Sequence, residues 1–185
     1  SMENGIKKIL RDKYGLFEKD IEILLEKFTR FSVPKREIIL QERQTDHYIY
    51  FVEKGIVKST ILREGREFII FFALENDVPL SSPNLTESRQ SLYTLEAVDT
   101  CILWRISRKD LATSFKDSLN LSNWGRMILQ EWLTSSSFYF SSIHWMSKKE
   151  QYQYLLKEMP KLIQRLSMRD LSAWLDITPH YLQFH

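Results

Sequence analysis

Residues 47–79 read "HYIYFVEKGIVKSTILREGREFIIFFALENDVP", and they give the clearest indication of the fold class of the chain. It consists of short runs of β-branched and aromatic residues separated by turn signals, which is the pattern of antiparallel strands. In "REGRE" the glycine Gly65 can adopt a positive φ, and alternating residues on both sides predict a hairpin. Further runs of the same kind, "REIIL" and "TLEAVDTCILWRI", lie on either side. We therefore predict an antiparallel β-roll over about residues 34–107.

The β-region is interrupted by a loop and preceded by helices. Residues 75–93 contain two prolines and many polar residues, so they predict a loop or lid. Helical spacing of apolar residues predicts helices over 3–12 and 17–30. Pro34 ends the helical region, because the residue before a proline avoids the α conformation.

A helical period returns at Lys109 and predicts one long helix that runs to about Trp145. Such a helix carries a stripe of large apolar side chains on one face, which needs a partner. Both packing on the chain's own β-region and pairing with a second copy satisfy this need. Because exposed aromatic residues promote aggregation, we predict a homodimer through the stripe. Its members are spaced by three and four residues: Leu121, Trp124, Ile128 and Trp132.

Three helix-start signals follow near the end of the sequence. Ser147 and Glu150 form a capping-box pattern, and Ser167 and Asp170 repeat the same logic. Thr178 precedes a proline that suits the first position of a helix. The last part of the chain is therefore predicted to be a small all-α unit.

The order of these elements resembles that of the Crp/Fnr family of bacterial transcription regulators. Two stretches carry the resemblance: residues 47–79, with Gly55 at a tight turn, and residues 166–182, "LSMRDLSAWLDITPHYL", which is similar to the family's helix-turn-helix. The resemblance implies a cyclic nucleotide-binding-like effector domain, dimerisation through the long helix and a winged helix that reads the DNA major groove. It also implies DNA, a second copy of the chain and RNA polymerase as partners, and a cytoplasmic location.

With this resemblance, the predicted fold class is α+β. N-terminal helices precede an antiparallel, jelly-roll-like β-roll, a long dimerisation helix over about 109–145 and a small C-terminal helix-turn-helix. The predicted domains are an effector domain over 2–146, which includes the dimerisation helix, and a partial helix-turn-helix DNA-binding domain over 147–185.

The effector site departs from the family's pattern. Family members that bind cyclic nucleotides carry a glycine-glutamate pair and then an arginine that grips the phosphate, a charge that needs bidentate support. Residues 75–97 contain no glycine, and Ser91 stands where the arginine is expected. We therefore predict that cAMP does not bind and that no cofactor is present, while an effector of another kind stays open. The residues predicted to line the effector pocket are Ser81, Ser82, Arg89 and Ser91.

Catalytic and metal sites are not predicted. A lone Cys101 cannot supply the thiolates of an iron–sulfur cluster, and it is expected to be a small core residue in a reducing cytosol. The β-region contains no pair of histidines at metal-ligand spacing, and no phosphate-loop or nucleophile-elbow motif is present. The protein is therefore predicted not to be an enzyme. No apolar run reaches membrane-spanning length, so no membrane partner is expected.

The predicted terminal helix-turn-helix has the residues that hold its two helices together, but it lacks the side chains that usually read bases. The predicted anchors are Leu171, Leu175, Ile177 and Leu182, with Ser172 where two helices approach closely and Asp176 in the turn. The family's base-reading positions, which usually hold glutamate and arginine, hold His180 and Phe184 in this chain. The residues predicted to contact DNA are Ser167, Arg169, Thr178, His180, Tyr181 and Gln183.

Two functions are compatible with the sequence. The first is a Crp/Fnr-like transcriptional regulator whose effector domain does not bind cAMP and whose DNA-binding domain is incomplete, or truncated, in this chain. The second is a β-roll that senses a ligand or binds a protein and has lost DNA binding. The net charge of +2 favours neither of them.

Overall fold

The computed structural model describes residues 2–176. Helix α1 (Met2–Lys8) continues into a π-helical turn (Ile9–Lys13), and helix α2 (Glu18–Leu25) follows. The predicted helix over 17–30 is thus wrong at its end, since Thr29 already begins a strand whose backbone pairs with a later one. Local spacing cannot reveal a sheet edge that lies far along the chain, and this edge overrides the helical pattern.

Nine strands form the β-roll: β1 (Thr29–Val33), β2 (Ile38–Leu40), β3 (Thr45–Asp46), β4 (Tyr48–Lys54), β5 (Val57–Arg63), β6 (Arg66–Ala73), β7 (Arg89–Gln90), β8 (Thr94–Ala97) and β9 (Cys101–Ser107). All described pairings are antiparallel, with the orders β1-β9-β4, β2-β8-β5-β6 and β3-β7. The roll therefore begins slightly earlier than predicted, and its interior is apolar. Cys101 is fully buried there, as expected of a small core residue.

The β5–β6 hairpin forms where the sequence predicts it. Glu64 and Gly65 both have positive φ, 53° and 75°, as a two-residue type I′ turn requires. Further along, Ser59 pairs with Phe71 while Thr60 pairs with Ile69, so Ile70 is an extra, bulged residue. The bulge lets Ile69 and Phe72 both face the outside of the roll, where they belong to one buried apolar cluster.

Two helices, not one, follow the roll. Helix α3 (Arg108–Asp117) ends at Ser118, which is extended and also caps helix α4 (Leu119–Ser141) through a bond from the Leu121 amide. A 3₁₀ turn (Ile143–Trp145) follows α4. The predicted single helix over about 109–145 is therefore corrected to two, because a serine that caps a new helix start also ends the previous helix.

The predicted dimer stripe on α4 lies inside the protein. Leu121, Trp124, Ile128 and Trp132 are between 1% and 8% exposed and pack on the N-terminal helices and on strands of the roll. The Trp124 ring stacks on Phe51 of β4, with centroids 5.7 Å apart. These four residues are thus core residues and cannot form a seam with a second copy, since their surface is already covered.

The chain continues with helices α5 (Lys148–Glu158), α6 (Pro160–Arg165) and α7 (Met168–Leu175). Ser147 and Glu150 form both bonds of the predicted capping box, and Ser167 accepts a bond from the Asp170 amide at the start of α7. Asp176 follows α7 in the left-handed conformation, with φ of 54° and ψ of 48°, as predicted for the turn. The third predicted start, Thr178, lies outside the described residues.

Candidate functional site

The loop between β6 and β8, residues 75–93, is the segment that holds the effector in the predicted function, and we call it the effector loop. Its short strand β7 pairs with β3, which places Arg89 opposite Asp46 in the backbone register. Asn84 shapes the tip, because its side-chain oxygen accepts bonds from the amides of Thr86 and Glu87. The loop is thus built from its own hydrogen bonds and from one strand of the roll.

A buried arginine, Arg108 at the start of α3, lies beneath the effector loop. Its Nη2 donates to Asp46 Oδ2 at 2.6 Å and to Ser81 Oγ at 3.3 Å, and its Nη1 donates to the carbonyl oxygen of Asn84. The Ser81 hydroxyl donates to the same carboxylate oxygen of Asp46. Both side chains of the ion pair are at most 1% exposed. The pair joins β3, the effector loop and α3 at one point.

The other predicted pocket residues form hydrogen bonds within the protein. Ser82 Oγ accepts a bond from the Asn84 side chain at 2.9 Å, and the Ser91 hydroxyl donates to the Tyr93 carbonyl at 2.6 Å. Both serines are buried. Arg89 is exposed and its guanidinium bonds to Glu87 at 2.6 Å, within the loop itself. Of the predicted set, Ser81 alone joins the Arg108–Asp46 pair.

A groove of about 700 Å³ runs between the tip of the effector loop and α4. On the helix side, Leu129 and Leu133 line it and are 40% and 68% exposed. Gly125 also lines it, and a Cβ there would come within 2.7 Å of the Phe115 ring, so a larger residue would have to displace that side chain. The groove places exposed apolar surface of α4 next to the effector loop.

Helix α7, the frame of the predicted DNA reader, lies on the outer face of the roll. The Trp174 ring meets Phe72 of β6 edge-on, with centroids 4.8 Å apart. Apolar residues of α6 and of the roll complete this contact, which includes Ile56, Ile69, Val98 and Leu162. The contact buries apolar surface on both sides, so the C-terminal helices are docked on the roll.

A buried cluster of charges lies beside this apolar contact. Lys58 of β5 is fully buried, and its Nζ lies 3.0 Å from Asp170, 2.8 Å from Glu67 and 3.3 Å from Glu96. Arg36 reaches the same Asp170 carboxylate at 3.2 Å. Burial opposes both charges, yet the hydrogen bonds to Glu67 and Asp170 help to raise the pKa of Lys58. The hydrogen bond from Lys58 and the charges of Lys58 and Arg36 likewise lower the pKa of Asp170. We call these five residues the docking cluster.

Two further ion pairs hold the same helices. Arg165 of α6 donates two bonds to the carboxylate of Glu75, at 2.7 and 2.8 Å, and Arg66 bonds to Asp176. The Arg165 hydrogen bonds are the main reason that the pKa of Glu75 falls to about 2. The Gly55 amide also donates to Glu75, at 2.8 Å, so the helices are tied to the tight turn between β4 and β5.

Some of the predicted DNA contacts lie within residues 2–176, which the structure describes, and the others lie outside this range. Ser167 caps α7, and Arg169 is exposed in the first turn of the same helix. Ser172 is buried, as a residue at a close helix approach should be. The remaining predicted contacts lie outside the described residues: Thr178, His180, Tyr181 and Gln183.

Sequence reasoning missed the charged residues that matter most to this geometry. Arg108 and Asp46 are far apart in sequence, and Lys58 has the alternating position of an ordinary outward strand residue. Within the described part of the chain, no group of three or more His, Cys, Asp or Glu residues could hold a metal ion. None of the helices between residues 2 and 176 is both long and apolar enough to span a membrane.

Comparisons with known proteins agree with the β-roll. Residues 30–118 match the model of the family described as the cyclic nucleotide-binding domain. Among solved structures, FixK2 from Bradyrhizobium japonicum has a TM-score of 0.75 and 22% identity, over 85% of this chain and 81% of its own. A protein of Eubacterium rectale assigned to the Crp/Fnr family has a TM-score of 0.72 and 20% identity, over 95% and 83%.

A third structure has the same fold. The c-di-GMP-responsive global regulator CLP of Xanthomonas campestris has a TM-score of 0.73 and 17% identity, over 91% of this chain and 89% of its own. A comparison with curated protein sequences gave no match. At these identities the solved structures establish a shared fold, and the family match covers residues 30–118, just under half of the chain.

Proposed function

We propose that this chain, whose residues 30–118 match the cyclic nucleotide-binding domain and whose fold is shared with Crp/Fnr regulators, is a DNA-binding transcriptional regulator. One observation carries the proposal: a capped helix, α7, ends in the left-handed turn at Asp176 and is joined to the β-roll through the long helix α4. This is the arrangement that a helix-turn-helix protein needs in order to couple an effector domain to DNA. The proposed division is an effector domain over 2–146 and a DNA-binding unit over 147–185.

The proposed regulator does not use cAMP. A cyclic nucleotide needs donors for its phosphate, and the Ser81 and Ser91 hydroxyls are bonded within the protein while Arg89 bonds to Glu87 on the surface. The Asp46 carboxylate also occupies the Arg108 guanidinium beneath the loop, so this cation is already paired within the protein. Calorimetric titration with cAMP should therefore give no binding heat, and measurable binding would overturn this part of the proposal.

The proposed regulator works as a homodimer through the exposed side of α4. Leu129 and Leu133 are one turn apart, and Phe140, two turns further on, is 64% exposed. These residues form an apolar stripe, which differs from the buried one that the sequence suggests. Two copies that pair along this stripe would cover surface that a monomer leaves in water. The proposal places the dimer in a bacterial cytoplasm, with RNA polymerase as its downstream partner.

DNA binding itself is tested by titrating random and promoter duplexes at several salt concentrations. A regulator should bind both at low salt, lose affinity as salt rises and retain a preference for its operator. The alternative function, a β-roll that senses a ligand or binds a protein without DNA, is favoured by one observation. The Asp170 face of α7 is buried against the roll and is not available to a duplex. No binding at the lowest salt would select that alternative.

A further inference from the structure

Arg108 is a permanent positive charge without access to water. Its side chain is fully buried, and a guanidinium does not lose its proton under any condition in which proteins fold. A charge in this position must have an anion beside it. Among the described residues, Asp46 is the one carboxylate within ion-pair distance of Arg108.

The Asp46 carboxylate is also the contact that ties the effector loop to this charge. Ser81 of the loop donates its hydroxyl to Asp46 Oδ2, which is the same oxygen that binds Arg108. Arg108 in turn donates to the carbonyl oxygen of Asn84 at the loop tip. The loop is therefore closed onto an anion, and this anion belongs to the protein.

The pair does not use all of its hydrogen-bonding capacity. Within the described part of the chain, Arg108 Nε and Asp46 Oδ1 are buried polar atoms without a hydrogen-bond partner. Asp46 is fixed to its strand and reaches the guanidinium through one oxygen only. A carboxylate that is not attached to the backbone can turn and bind a guanidinium through both oxygens. The arrangement is therefore that of an anion site occupied by a tethered, geometrically restricted anion.

We infer that Asp46 is a built-in substitute for a ligand anion, which keeps the effector loop closed on Arg108 without any small molecule. Removal of the Asp46 carboxylate then creates a binding site for a small carboxylate of the size of formate or acetate. This inference rests on the proposed function only in taking residues 75–93 as the effector loop. The Asp46 carboxylate is the group that keeps this loop ordered, and DNA is not needed to test its role.

The test uses the full chain with Asp46→Ala and hydrogen exchange of the effector-loop amides. The substitution should raise exchange of residues 80–91 by about tenfold or more, since a charged hydrogen bond is lost at a buried site. Sodium formate should return exchange toward the wild-type rate in a saturable way, whereas sodium chloride at equal ionic strength should not. The wild-type protein should not respond to formate, because its own carboxylate occupies the site.

Two further variants exclude a merely structural effect. Glu87→Ala removes an exposed carboxylate from the same loop and should leave exchange of residues 80–91 unchanged. In Asp46→Leu with Arg108→Met, both buried charges are absent, so the loop should close without formate and should not respond to it. If Asp46→Ala does not fold alone, refolding yield in formate against chloride gives the same readout.

Two outcomes overturn the inference: loop exchange in Asp46→Ala that equals the wild-type rate, or accelerated exchange that formate does not slow. These outcomes are separate from failure of the proposed function. A wild-type protein that does not bind DNA, together with a loop that closes on formate in Asp46→Ala, would remove the regulator proposal and leave the internal anion in place.

Discussion

Lys58 of β5 and Asp170 of α7 form an ion pair at 3.0 Å, and both side chains are fully buried. Such buried charges need partners, since the protein interior replaces little of the hydration that they have lost; Lys58 also contacts Glu67 and Glu96, and Asp170 also contacts Arg36. The pair forms only when α7 is docked on the roll. The position of α7 therefore depends on the charge of a residue in the β-roll.

The first prediction concerns this pair. Lys58→Met leaves Asp170 buried with Arg36 as its remaining cation, and it should destabilise the docked helices by about 3 kcal/mol. Adding Asp170→Leu removes the stranded charge and should recover most of that loss. Denaturant unfolding measures the change in the free energy of unfolding, and hydrogen exchange shows whether the loss of stability is confined to α5–α7. The matched control is Lys54→Met at an exposed site, and equal effects of the two lysine substitutions would contradict the prediction.

The second prediction is that acid releases the C-terminal helices. The folded-state pKa of Glu75, about 2, and that of Asp170 both lie below the ordinary carboxyl range, so each group stabilises docking above that range. This stabilisation is lost as pH falls through the folded-state pKa values. Exchange in α5–α7 should therefore rise between about pH 4 and pH 2. Glu75→Gln should raise exchange in α5–α7 already at neutral pH and leave a smaller further rise in acid, because the Glu75 contribution no longer titrates. Full protection of α5–α7 until the roll unfolds would rule the idea out.

The third prediction tests the proposed dimer through the exposed side of α4. Leu133 is 68% exposed on α4, and Leu133→Glu should turn the proposed dimer into a folded monomer because it places a charge in an apolar interface. Light scattering coupled to size-exclusion chromatography measures the mass. Leu62→Glu, at a 62% exposed leucine of the β5–β6 hairpin, should leave the dimer intact. By contrast, Trp132→Ala should lower the free energy of unfolding by about 3 kcal/mol, because the ring is core.

The fourth prediction concerns DNA. Arg169 is exposed near the N-terminus of α7, where a helix-turn-helix approaches the DNA backbone. Arg169→Ala should weaken binding to random and operator duplexes alike and reduce the slope of affinity against salt by about 1. Lys116→Ala, at an exposed lysine of α3, is the matched control. A loss confined to the operator would mean that Arg169 reads bases.

The residues show which parts of this structure local sequence can predict. The Gly65 hairpin, the Ser147 capping box and the left-handed Asp176 depend on neighbours within a few residues, and all three form as predicted. Helix 17–30 failed at Thr29 because β9, far along the chain, pairs with that residue. Arg108 could not be recognised as a site residue, because its role depends on the Asp46 carboxylate, which comes close to it only in the folded protein.

The buried apolar residues of α4 show that local sequence also fails to predict packing partners. Periodicity correctly placed Trp124 and Ile128 on one helix face, but it could not say whether that face meets the same chain or another. The N-terminal helices and the roll supply enough apolar surface to cover it. The exposed Leu129 and Leu133 have no signal in the sequence that separates them from the buried set.

The bulge at Ile70 determines where β6 tolerates a change in length. On the two sides of the bulge, Ile69 and Phe72 face outward and Phe71 faces inward, and this pattern is what strict alternation gives once Ile70 is removed. A deletion of Ile70 therefore leaves every other side chain on its present face. A deletion at Glu67 or Phe72 shifts the parity of its neighbours and turns apolar residues away from α7. In an alignment with relatives, a one-residue gap in this strand belongs at Ile70.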